Sequence, residues 1–297
     1  MRIYALFSLL IVCPLTAQAI DVFACEPEWG ALLEELAGDA ATVTVATTAF
    51  QDPHRLQAIP SLIAAVRQAD LVVCTGADLE IGWLPLLLRR AGNAQIQTGN
   101  PGHFMASDFV RKLEIPKVID RSQGDIHPQG NPHVHLDPRN IRRIANALAE
   151  RLIEFDAPNA AFYATRLTEF QTRWSSAIDS WEERAVALAG LRLASHHRSF
   201  SYLANWLDLD IVANLESKPG VPPSGAQLAA LLEKLNANPP VGVIRTPYEN
   251  EKPSLWLSER LEIPALRLPY TTGSNPAVMD LFGLFDETLK LLEEQVQ

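Results

Sequence analysis

Basic residues are scarce in this chain: 25 lysines and arginines stand against 35 aspartates and glutamates, a formal net charge of -10. Nucleic acid and anionic membranes are bound by clustered Lys and Arg, so neither is an expected partner, whereas an acidic surface is compatible with cations. No apolar run reaches the ~20 residues that cross a bilayer. There is no His-Glu-x-x-His, which removes zincin protease chemistry, and no internal sequence repeat. What remains, 47% hydrophobic and 20% charged residues over 297 positions, is the composition of a soluble globular protein long enough for two domains.

Residues 1–19 carry Arg2, an apolar core from Ile3 to Leu15, and Ala17-Gln18-Ala19 at the end. This is the pattern of a signal peptide with a small-x-small cleavage site, so cleavage after Ala19 and export to the periplasm are expected. Cys13 raises a lipoprotein reading, against which Val12 stands where a small residue is usual. After cleavage only Cys25 and Cys74 remain, each at the end of an apolar run. In an oxidising compartment such an even pair forms a disulfide if the two strands are neighbours; a reduced, packed pair is the alternative.

Strand and helix patterns alternate along the mature chain. Residues 20–24 read as a strand, Pro27 to Leu36 as a helix, and 41–46 as a second strand leading into Asp52-Pro53-His54. A helix from Ser61, capped by that serine, precedes the strand Leu71-Val72-Val73, and residues 99–129 read as loop. Such alternation predicts a largely parallel sheet covered on both faces, with loops after the strands' carboxyl ends as the place for ligands. From Pro158 to Gly190, Phe162, Leu167, Phe170, Trp174, Ile178, Trp181, Ala185 and Leu188 recur at helical spacing. About 30 residues at 1.5 Å each make a rod on the order of 45 Å, too long for one small domain and suited to joining two lobes. The alternation then restarts: a strand at 191–194 ends at Ser195-His196-His197, and further strands are expected at 210–215, 241–244 and 265–268. The expected organisation is therefore a signal peptide (1–19), an N-terminal α/β lobe (20–157), a linker helix (158–190) and a C-terminal α/β lobe (191–297).

The chemistry concentrates at Asn131-Pro132-His133-Val134-His135-Leu136-Asp137-Pro138, where two histidines and a carboxylate lie between prolines that stiffen the backbone. Alternation on an extended strand sends His133 and His135 to opposite faces, so at most one of them ligates a given ion. Imidazole is the commonest metal ligand near neutral pH. Histidine also follows a strand at His54 and at His197. His103 and His127 lie in the loop and read as exposed histidines or as auxiliary metal-capturing groups.

Asp52-Pro53-His54, Asn131-Pro132-His133 and His197 through Tyr202, taken together, resemble the extracytoplasmic substrate-binding proteins of zinc and manganese ABC transporters. Gly76-Ala77-Asp78-Leu79-Glu80, Pro60-Ser61 and His133-Val134-x-Leu136-Asp137-Pro138 extend the resemblance along most of the mature chain. It implies two Rossmann-like α/β lobes joined by a single long helix, with metal held between them by His54, His133 and His197. It implies delivery to a membrane permease, and a monomer is expected. His135 stands where the family usually has tryptophan, and His196 reads as the neighbour of a ligand. Family members often place a carboxylate just after the last strand, but residues 269–274 contain no acid; Asp280 or a water is then the fourth ligand, and Asp280 equally suits a helix cap. Three imidazoles and an oxygen favour Zn2+ over Mn2+. Two other functions fit parts of the pattern. His133-Val134-His135-Leu136-Asp137 begins a metallo-β-lactamase-like motif, but Pro138 replaces its third histidine, which leaves a three-histidine zinc hydrolase as the enzymatic rival. A periplasmic metallochaperone or adhesin of the same fold is the other.

Overall fold

The computed structural model describes residues 19–119 and 124–296. The signal-peptide assignment, with Cys13, falls outside the described residues except for Ala19. Two four-stranded sheets, all parallel, form the two halves. The first contains β1 (Ile20–Ala24), β2 (Ala41–Val45), β3 (Leu71–Cys74) and β4 (His103–Met105) in the order β2-β1-β3-β4. The second contains β5 (Arg192–Ser195), β6 (Asp210–Asn214), β7 (Gly242–Arg245) and β8 (Ala265–Arg267) in the matching order β6-β5-β7-β8. The expected α/β architecture is therefore present twice. β4 and the helix α3 (Leu84–Ala91) lie in stretches where no element was expected. Strand β4 is only three residues long, too short for an alternation signal, and its pairing to β3 is what makes it a strand.

Helix α1 (Pro27–Ala37) follows β1, and α2 (Pro60–Gln68) begins one residue earlier than expected. Its cap position is Ile59 with no side-chain bond, because Pro60 fixes the first turn and needs no N–H partner. Register brings Ala24 opposite Val73, so Cys25 and Cys74 follow adjacent strands and form a disulfide with their Cα atoms 4.8 Å apart. The turn after β3 uses left-handed backbone at Gly76, Ala77 and Asp78. It is closed by Glu80, whose carboxylate accepts from Thr75 N at 2.7 Å and Gly76 N at 3.1 Å.

Helix α4 (Pro138–Phe155) leads to the long helix α5 (Ala160–Ala185), 26 residues and hence about 39 Å. It is bounded by short 3-10 turns at 157–159 and 186–188 rather than running unbroken through 158–190. Its buried stripe is Tyr163, Phe170, Trp174, Ile178 and Trp181. Phe162 faces outward and Tyr163 inward, because the Tyr163 hydroxyl finds Asp156 Oδ2 at 2.6 Å. The C-terminal lobe adds α6 (Ser201–Leu207), α7 (Gly225–Asn236), α8 (Glu251–Leu261) and α9 (Leu281–Glu293). Helix α9 lies along α5: Trp174 meets Phe282 at 4.8 Å between ring centroids, Trp181 meets Phe285 at 5.0 Å, and Trp181 Nε1 donates to Asp286 Oδ1. One apolar cluster passes from α1 and α4 through α5 to α6 and α9. A close-packed core shared by both lobes resists wide opening, since separating them would expose aromatic surface at about 25 cal/mol per Å². No helix among the described residues is long and apolar enough to cross a membrane.

Candidate metal centre

Three loops at the carboxyl ends of the strands converge. After β2, Asp52 caps the 3-10 turn Pro53–Arg55, accepting from the His54 backbone N–H at 3.0 Å. Trp83 Nε1 donates to Pro53 O and anchors the turn. The segment before α4 is a 3-10 turn over Val134–Leu136 rather than an extended strand. Asn131 organises it: its Oδ1 accepts from His133 N, while its amide donates to Arg198 O in the other lobe. His197 stands two residues beyond the end of β5, with its carbonyl accepting from Ser195 Oγ.

These loops bring one ligand nitrogen from each of His54, His133 and His197 within 4.8 Å of one another. The ring centroids are 5.6, 5.7 and 6.0 Å apart and the planes cross at 69°, 85° and 79°, so the imidazoles surround a common point. Each ring is held through Nδ1: His54 by Asp52 Oδ1 at 2.8 Å, His133 by the Tyr270 hydroxyl at 2.7 Å, His197 by Glu216 Oε2 at 2.8 Å. At His54 and His197 a carboxylate that only accepts sets the tautomer and leaves Nε2 for a metal, the usual arrangement around ligating histidines. At His133 the Tyr270 hydroxyl occupies Nδ1 and can accept its N–H when Nε2 binds an ion.

The electrostatics suit a cation. Burial and the neighbouring imidazoles hold His133 well below its ordinary pKa, so it is a neutral ligand at pH 7. Burial also disfavours the charged form of His197, but the Glu216 carboxylate outweighs it and raises this histidine. Burial works to raise Asp52 too, yet the hydrogen bonds and charge of His54 keep it low. Protons therefore compete with metal at His197, whose pKa the Glu216 carboxylate raises above the ordinary histidine value of about 6.5. Metal affinity is expected to fall as pH drops through that region, by roughly tenfold per unit once His197 protonates. A chelator-competition titration between pH 8 and pH 5.5 checks this; a flat profile contradicts it.

Asp280 does not join the histidines. It is exposed and caps α9, accepting from Gly283 N at 2.8 Å, and a carboxylate so placed is committed to the helix terminus. His127 lies beside this group without belonging to it: its Nε2 is 3.3 Å from His54 Nε2, and burial and the adjacent imidazoles push its pKa down to about 4. The cleft holding His54, His197 and Glu216 is also lined by Glu249, a carboxyl pushed up to about 7 by burial. No sequence motif singles out Glu216, Glu249 or Tyr270. Tyr270 stands in the loop where an acid was sought, and a phenol there carries no motif signal. His196 is buried beside Glu216, 3.9 Å from Oε1, and outside the group of three. His103 bonds the Ile96 carbonyl at the start of β4. His135 turns away from the site toward Glu28 and the Tyr270 carbonyl. Cys25, Cys74 and Glu80 also lie close together, but both sulfurs are spent on the disulfide.

The model of the family described as zinc-uptake complex component A, periplasmic, matches residues 22–295. The manganese ABC transporter substrate-binding lipoprotein PsaA of Streptococcus pneumoniae is 24% identical over 81% of this chain and 76% of its own length. The high-affinity zinc uptake system protein ZnuA of Paracoccus denitrificans is 22% identical over 93% of this chain and 90% of its own. A crystal structure of ZnuA superposes with a TM-score of 0.76 at 22% identity, covering 93% of this chain and 99% of that one.

Proposed function

The chain belongs to the family of zinc-uptake complex component A, periplasmic, and on that premise we propose that it captures Zn2+ outside the cytoplasm and delivers it to an ABC permease. The metal is cargo, and the protein acts on it by binding alone. The observation that supports this reading is the convergence of His54, His133 and His197, each with its Nδ1 already engaged. Zn–N bonds of about 2.0 Å in a tetrahedron would set the ligand nitrogens about 3.3 Å apart, a spacing that fits within the 4.8 Å in which they all lie. Because His54 and His133 belong to the first lobe and His197 to the second, the ion biases how the two halves sit. A permease can distinguish loaded from empty protein only through such a differential surface.

Three imidazoles favour zinc over the more oxygen-seeking manganese. His127 is the proposed fourth ligand, since its Nε2 lies against that of His54; a water is the alternative. Periplasmic residence, a monomeric state and the lobe boundaries at 157 and 190 belong to the same proposal. The test is metal analysis of the chelated protein reloaded with equimolar Zn2+ and Mn2+. One equivalent of zinc with little manganese is expected in the wild type, and a zinc affinity weaker by about a hundredfold in His127→Ala. Preferential manganese loading would overturn the zinc assignment.

A further inference from the structure

Two of the three histidines are oriented from within their own lobe: Asp52 is two residues from His54, and Glu216 follows β6 beside β5. His133 differs, because its Nδ1 partner, Tyr270, comes from the opposite lobe, after β8. The angle of the His133 ring therefore depends on how the 270–271 peptide is held against the first lobe. Two buried polar groups hold it. His135 Nε2 lies 2.8 Å from the Tyr270 carbonyl, which can only accept, so the imidazole donates. Glu28, in the first turn of α1, accepts from Thr271 Oγ1 through Oε2 at 2.5 Å. The two grips are joined to each other, with His135 Nδ1 3.2 Å from Glu28 Oε1. The two atoms lie within ion-pair range but make no hydrogen bond, to each other or to any other group, and both side chains are fully enclosed. The His135 ring also stands edge-on to the Tyr270 ring at 4.8 Å. An acid and an imidazole with no access to water are costly to keep unless each satisfies the other. That cost is borne here beside the peptide whose side chain, Tyr270, reaches a candidate metal ligand from the opposite lobe.

We propose that Glu28 and His135 form a cross-lobe positioning pair that acts through Tyr270 to set the His133 ligand, and so tie lobe docking to zinc affinity. This rests on the zinc-binding reading above. The pair touches no metal. It clamps the 270–271 peptide from both sides, Tyr270 then holds His133 Nδ1, and His133 Nε2 is aimed at the ion. A displaced peptide would leave the phenol out of hydrogen-bonding reach, and loss of such an outer partner typically costs 10- to 100-fold in metal affinity.

The test is a mutant cycle on the whole exported protein, read as zinc affinity by chelator competition, with thermal melts alongside. Glu28→Leu combined with His135→Phe removes both polar groups at once, so neither is left orphaned. Tyr270→Phe removes the link. The paired replacement and Tyr270→Phe are each expected to weaken zinc binding about tenfold or more. In the triple variant the loss should not exceed that of Tyr270→Phe by more than about twofold, because residues acting through one contact are not additive. A merely structural pair would instead give losses that multiply. Thr271→Val, which deletes only the hydroxyl on Glu28, is the milder variant and decides the matter if the paired replacement does not fold: a several-fold loss that vanishes in the Tyr270→Phe background is expected. The His133 Nδ1–H signal of the zinc-loaded wild type should also shift in both the paired and Thr271→Val variants. If the wild type binds one equivalent of zinc but these variants bind it unchanged, or the losses multiply, the positioning role alone is overturned. If the wild type binds none, the zinc reading falls and this role with it.

Discussion

Replacing His197 by alanine is expected to weaken zinc binding at least a hundredfold. The free energy of holding zinc by protein ligands is about 10 to 16 kcal/mol at neutral pH, or about 3 kcal/mol for each of four ligands. At about 1.4 kcal/mol per decade that is two orders of magnitude. The loss at His197 has two further consequences. The ring is the only one of the three contributed by the second lobe, so its removal leaves the ion held from one side. It also strips Glu216 Oε2 of its imidazole partner, although Gly220 N at 2.7 Å still bonds that oxygen. His54→Ala and His133→Ala should show losses of the same order. Asp280→Ala supplies the contrast: it deletes a helix cap worth about 1 kcal/mol and should lower the melting temperature of the protein while leaving its zinc affinity within about twofold. Competition with a chelator of known affinity measures all four variants. Full zinc retention by any histidine variant would remove that residue from the site, and a large loss in Asp280→Ala would restore the carboxylate as a ligand.

The second large effect concerns the fold rather than the ion. Opening the disulfide by Cys25→Ala with Cys74→Ala is expected to cost about 4 kcal/mol, from the chain entropy of a closed loop whose ends are 49 residues apart. For a chain of this size the melting temperature should fall on the order of 10 °C. The loop encloses α1, β2, the His54 turn and α2, so much of the first lobe is constrained by this one bond. Both cysteines are fully buried between the sheet and the cluster of Phe23, Leu62, Val66 and Trp83. Zinc stoichiometry should remain one, because no ligand is altered. Calorimetry of the oxidised, reduced and substituted forms checks the expectation; equal melting temperatures would contradict it.

Much of the molecule was readable from local pattern. Long elements with strong periodicity, such as α4 and the Trp174 face of α5, are legible because the apolar stripe that buries them recurs several times. His54, His133 and His197 were legible because proline and a carboxylate or amide sit at fixed offsets from two of them, while the third closes a strand. Strand β4 was not, since three residues carry no period and only pairing with β3 defines it. Tyr270 and Glu216 escaped for a different reason: each lies more than a dozen residues from the histidine it holds, and nothing in the local sequence encodes such a meeting.

By itself the amino-acid sequence determined the alternating α/β character, the spine and the three candidate imidazoles, because each depends on residues near one another in the chain or on a repeated spacing. Only the tertiary structure decided which nitrogen of each ring is free, that Asp280 caps a helix while His127 lies beside His54, and that His135 turns inward to Glu28. Those outcomes depend on distance and burial between segments from different lobes, quantities that the order of residues along one segment does not contain.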